Sequence, residues 1–214
     1  MQADAEKSEE IRLSSSPEIH RLVDLPIHIP EKRILHRLGY KGRSAPVSPG
    51  VTEMIKEQEA RLDSLLRPAA LYRILDYQDT DRHPVFADAE KVALCICTIG
   101  EDLEKSSADM IRDNEMLNGF ILDSFGSEAA EAAAIQADRV IAQAAREIDL
   151  WPSKRYSPGY GIWDIREQAY VFKMLPAEEI GVRLTDTFMM VPRKSVSFRI
   201  NFYRNREQTT RRFG

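Results

Sequence analysis

Cysteine is nearly missing from this sequence: Cys95 and Cys97 are the only two in 214 residues. They alternate within an apolar run, so on a strand they would share one face. That spacing is a poor disulfide geometry and supplies an incomplete set of metal ligands. Buried free thiols in a reducing compartment are expected. Charge of one sign is not in excess either. A formal net charge of −4 gives no general attraction to nucleic acid or to an anionic membrane. No apolar run reaches the roughly 18 residues of a membrane span, and the acidic, polar start is unlike a signal peptide. A cytoplasmic protein is expected. His20, His28, His36 and His83 are scattered without metal-ligand spacing. No Gly-x-Gly-x-x-Gly follows a strand pattern, which excludes a Rossmann methyltransferase.

What is present divides into three parts. Residues 1–22 begin acidic and serine-rich and are predicted to be mobile. Residues 23–203 are predicted to form one domain. Residues 204–214 are a basic tail, with Arg204, Arg206, Arg211 and Arg212 opposed by Glu207. Together with Arg199 upstream they read as a solvated end, or as a docking face for an acidic partner. Within the domain, Pro30–Leu38 predicts two helical turns that stop at Gly39, and Thr52–Leu66 a helix capped by Thr52. Residues 69–78, Val85-Phe86 and Val92–Ile99 predict strands, the last nearly continuously apolar and therefore central. Glu101, Asp102 and Glu104 then suit the first turn of a helix.

Glu115–Asp149 is the longest helical stretch. Gly119, Gly126, Ala130, Ala133, Ala137 and Ala144 recur on it as a ridge of small residues, fit for close packing. Asp164 to Glu167 suggests a capping box, with Trp163 as a staple before it. Leu184–Val191 and Ser195–Tyr203 predict a hairpin turning at Pro192-Arg193-Lys194. The order of elements gives an α+β fold, with helices packed on a mainly antiparallel twisted sheet.

Between the long helix and the capped one lies Arg155-Tyr156-Ser157-Pro158-Gly159-Tyr160-Gly161. Proline fixes φ, glycine allows positive φ and close approach of a ligand, arginine offers a fork for a carboxylate or phosphate, and tyrosine offers a stacking ring. On its own, such a loop is either a ligand clamp or an ordinary tight connection.

Arg155 to Tyr160 resembles the Arg-x-x-x-Gly-Tyr loop that binds S-adenosylmethionine in the activation domain of cobalamin-dependent methionine synthase. Thr98–Glu104 with Leu122–Ser127 resembles the middle of free-standing members. Leu184–Pro192 with Ser195-Val196-Ser197 resembles the family's C-terminal hairpin. The resemblance implies that Arg155, Ser157, Gly159 and Tyr160 bind S-adenosylmethionine. It also implies an acidic contact on the preceding helix. The family's acidic position aligns with Ala142, and Glu131, chosen over Glu128 and Asp138, stands in for it. Gly161 replaces the proline usual in fused enzymes, and Phe198 the glycine after Ser-Val-Ser.

The implied function is reactivation. An oxidised cobalamin, carried by a partner protein, is reduced by a donor such as a flavodoxin-like protein and methylated by S-adenosylmethionine. The sequence has no Asp-x-His-x-x-Gly motif to supply a cobalt ligand, so the corrinoid-binding methionine synthase subunit is expected as a separate partner and no activity is expected alone. Service to a different corrinoid protein and a non-catalytic S-adenosylmethionine-binding scaffold are the alternatives.

Overall fold

The computed structural model describes residues 18–40, 46–80 and 84–210. Its strands are β1 Ile19–Val23, β2 Ala69–Asp76, β3 Lys91–Thr98, β4 Trp151–Pro152, β5 Arg183–Leu184, β6 Met190–Val191 and β7 Ser195–Tyr203. Its helices are α1 Glu31–Arg37, α2 Pro49–Glu59, α3 Leu62–Leu65, α4 Asp102–Arg112, α5 Met116–Glu147 and α6 Gln168–Met174. Five strands make one antiparallel sheet in the order β1-β2-β3-β7-β4, and β5 and β6 pair separately.

The near-continuous apolarity of β3 follows from its place in the middle of that sheet, covered on both faces. Ala93, Cys95 and Cys97 face the core under α5, while Val92, Leu94 and Ile96 face the core under α6. The two thiols therefore lie on one face, buried and free, as their spacing predicts. Burial raises Cys95 above the ordinary thiol range and pushes Cys97 up to about 12.

The small residues of α5 serve two neighbours. Ala129, Ala130, Ala133, Ala134 and Ala137 are buried in the core over the sheet. Gly119 and Gly126 instead admit α4. A Cβ at Gly119 would lie 2.6 Å from Ile111 Cγ1 and 2.9 Å from the Ser107 carbonyl oxygen, and one at Gly126 would strike Leu103. At the other side of α5, Glu128 is buried and accepts from Arg33 Nη1 at 3.1 Å and Arg37 Nε at 2.6 Å, which ties α1 to the long helix.

Several elements differ from the sequence reading. The predicted mobile segment ends too late: Ile19–Val23 pair with Ala69–Arg73 as an edge strand, and residues 1–17 lie outside the described residues. α2 starts earlier than Thr52, because Ser48 accepts from the Val51 amide and Pro49 occupies the first turn. Val85 and Phe86 form a 3₁₀ turn, Pro84–Phe86, that plugs the core under α6. The expected C-terminal hairpin is replaced by two separate pairings: β6 returns only to β5, while β7 inserts beside β3 over its full length. Arg199 belongs to β7 and is buried, so it is no part of a basic tail. Arg204 pairs with Glu90, and residues 211–214 lie outside the described residues.

Two measurements follow. Native protein should label slowly with a thiol reagent at pH 8 and fully after unfolding; rapid native labelling would contradict the buried, raised thiols. For Glu128, burial raises the carboxyl, but hydrogen bonds and charge from Arg37 and Arg33 outweigh it and leave the group below its ordinary value. A depressed carboxylate contributes stability above its unfolded value, lost as pH falls through the folded one. Glu128→Gln should thus lower the urea midpoint at pH 7 and have little effect near pH 3; an equal penalty at both would count against the ion pairs.

Candidate functional site

β4 pairs with one end of β7, and Tyr156 makes an isolated bridge to Arg199 further along the same edge. The backbone bonds are Tyr156 N to Arg199 O at 2.9 Å and Arg199 N to Tyr156 O at 2.8 Å. The chain then leaves the sheet and folds on itself. Gly159 N donates to Trp163 O at 2.7 Å, Trp163 N donates to Tyr160 O at 3.0 Å, and the Tyr156 hydroxyl donates to Tyr160 O at 2.7 Å. Gly159 and Gly161 both take positive φ, 90° and 49°, the conformations for which glycine suits a tight turn. At Gly161 a Cβ would also run into the Tyr156 hydroxyl. A proline at this position would meet the same obstacle and the wrong φ.

This loop forms one wall of a groove of about 490 Å³. Arg155, Ser157, Tyr160 and Glu131, four of the predicted site residues, line it together. Gly159 shapes the loop without lining the groove. Arg155 Nη2 pairs with Glu131 across the groove, and its guanidinium carbon sits 5.8 Å from the Phe198 ring centroid. An ion pair stacked on an aromatic face holds the arginine fork in one orientation. Tyr160 is 68% exposed, so its ring is open to a ligand. Of the other two acidic candidates on α5, Glu128 is taken by Arg33 and Arg37, and Asp138 is half-buried, with its carboxyl raised first by burial.

The far wall escaped the reading of side chains. Ser195, Val196, Ser197, Gln168 and Met190 line it. Gln168 is buried at the start of α6, accepts from the Ser197 hydroxyl at 3.1 Å and donates to Phe188 O at 2.7 Å. The Ser-Val-Ser motif was the signal that pointed there. The predicted capping box is different in detail: Asp164 accepts from the Arg166 amide and guanidinium. Trp163 is a buried ring, edge-on to Phe86 at 6.0 Å and parallel to Tyr156.

Residues 87–208, from just before β3 through the groove, match the family described as "Vitamin B12 dependent methionine synthase, activation domain". The chain belongs to this family. The matched span holds α5, the Arg155 loop and the Ser195–Ser197 wall, whereas β1, β2 and α1 to α3 lie outside it. Among solved structures, the crystal structure of the MetH reactivation domain bound to AdoHcy superposes with a TM-score of 0.67 at 16% identity. The likeness covers 86% of this chain and 78% of that one. At that identity it establishes a shared fold, which agrees with helices on an antiparallel sheet. No curated protein matches the chain in sequence.

For this activation-domain chain, the fit of Gly161 under Tyr156 is open to a direct test. Gly161→Ala should destabilise by about 1–3 kcal/mol through strain and overpacking. In a Tyr156→Phe background the steric part should vanish and the penalty shrink toward the left-handed backbone cost alone. Equal urea penalties in both backgrounds would refute the contact.

Proposed function

We propose that this chain binds S-adenosylmethionine in the groove and supports the reductive methylation that returns oxidised cobalamin to service on a separate corrinoid-binding methionine synthase subunit. One observation carries the reading: inside the family-matched span, Arg155 and Glu131 bring opposite charges from two elements to one groove, beside an exposed tyrosine ring. S-adenosylmethionine is a zwitterionic amino acid joined to an adenosine. A groove of this size, with one cation, one anion and one open ring, suits each of its parts.

In this reading Arg155 binds the ligand carboxylate through guanidinium nitrogens other than the one given to Glu131. Glu131 faces the ammonium or a ribose hydroxyl. Ser157 and the turn at Gly159 supply polar contacts, and Tyr160 covers the ring system. S-adenosylmethionine supplies a methyl group on a positively charged sulfur, and the residues of this chain orient it toward the partner's cobalt. No side chain needs to act as a nucleophile or base. The exposed Tyr160 and Ile165 line the groove with apolar surface, which favours a docked partner over an isolated sensor. A low-potential, flavodoxin-like protein is the expected electron donor, and the cytoplasm the expected setting.

Titration calorimetry tests the binding. Arg155→Ala should weaken S-adenosylmethionine by about ten- to a hundredfold, since a charge-assisted pair contributes roughly 1.5–3 kcal/mol. Arg155→Lys should recover part of that, because the fork is lost. Unchanged affinity in Arg155→Ala removes Arg155 from the site. Demethylation of S-adenosylmethionine should then require a corrinoid protein and a low-potential reductant together. Methyl transfer to another acceptor without corrinoid would overturn the reading.

A further inference from the structure

The mechanism above leaves one buried cation unused. Arg199 is 1% exposed, in the middle of β7. Its neighbour Phe198 points to the α5 face and underlies Arg155, so Arg199 points to the opposite face. Its guanidinium carbon lies 5.1 Å from the Tyr156 ring centroid and 5.8 Å from that of Trp163. Those rings are nearly parallel, 9° apart in plane and 6.3 Å between centroids. Burial pushes the guanidinium down to about 10, which leaves it charged at neutral pH. A desolvated cation beside two aromatic faces is drawn to both.

Tyr156 and Trp163 are the two ends of the groove loop, and most of the loop's hydrogen bonds run to their atoms. The Tyr156 hydroxyl and the Trp163 amide both donate to Tyr160 O, and the Gly159 amide donates to Trp163 O. The backbone bridge between Tyr156 and Arg199 does not depend on the side chain at position 199, so long as that residue keeps its N–H. The grip on the two rings would not.

We propose that Arg199 is a positioning residue for ligand binding: its buried cation clamps Tyr156 against Trp163 and thereby sets Tyr160 over the groove. The ligand half of this rests on the S-adenosylmethionine reading; the loop half does not. A merely space-filling role would be met by an apolar side chain of similar length, which makes Arg199→Met and Arg199→Lys the informative pair.

Two readouts on the intact chain decide it. The first is hydrogen exchange of the Gly159 and Trp163 amides without ligand, set against the Cys95 amide in β3 as a measure of global stability. In Arg199→Met, the loop amides should exchange about tenfold faster relative to Cys95, and Arg199→Lys should restore part of the protection. The second is S-adenosylmethionine affinity by calorimetry, which should fall about tenfold in Arg199→Met and recover in part with Lys. Loop exchange that rises only in step with Cys95, or equal behaviour of Met and Lys, would overturn the proposal. If Arg199→Met does not fold, Arg199→Lys decides on the same amides: intermediate protection supports the clamp, and wild-type protection overturns it. If the wild-type chain binds no S-adenosylmethionine, the functional reading fails by itself, and the exchange ratio still judges the clamp.

Discussion

Lys91–Thr98 and Ser195–Tyr203 run side by side in an antiparallel ladder from Lys91↔Phe202 to Thr98↔Ser195, and the position of the groove follows from that register. Because side chains alternate along a strand, the ladder assigns Phe198 to the α5 face and Arg199 to the other. The loop that leaves Tyr156 straddles the sheet edge at this point. Arg155 rests on Phe198 on one side, and Tyr156 rests against Arg199 on the other. A slip of one residue would exchange the two supports and put a buried cation into the alanine-lined core under α5. The same ladder brings Ser195 and Ser197 to the far wall.

Two carboxylates three residues apart on α5 show how contact, rather than spacing, sorts chemistry. Glu128 is buried and shared by Arg33 and Arg37, so its charge is spent on holding α1. Glu131 is one turn further on and more open, with a single arginine across the groove. A smaller hollow of about 230 Å³ lies behind it, bordered by His28, Arg33 and Arg139. Glu131 thus stands at the junction between the family-matched half of the chain and the N-terminal elements that precede it. Those elements complete the core under α5, where Ile34, Ile55 and Leu62 are buried.

Packing of α5 explains why so long a helix carries so few large residues on its inner faces. The alanines let the helix lie close to the sheet, and the two glycines let α4 lie close to the helix. That closeness positions Glu131 opposite Arg155, since bulkier residues would lift the helix away from β7. The groove is therefore bounded by three separately anchored parts: a close-packed helix, a loop bridged to the sheet edge at Tyr156, and a strand end held by Gln168.

Local patterns were enough for β3, α4 and α5, and for the irregular nature of the Arg155 loop. A nearly unbroken apolar octet, a run of carboxylates after Gly100, recurrent alanines and a Pro-Gly turn each act on their own neighbours, so they are legible without knowing what they touch. The family resemblance added the Ser-Val-Ser wall, which no periodicity marks. The partner of β7, the burial of Arg199 and the division of labour between Glu128 and Glu131 were decided by tertiary structure. Strand pairing joins residues about a hundred positions apart in the chain, and the choice between hairpin and central strand depends on which apolar face finds a partner. An arginine reads as surface from its neighbours in sequence; the rings of Tyr156 and Trp163, brought beside it by that pairing, help to stabilise its buried charge.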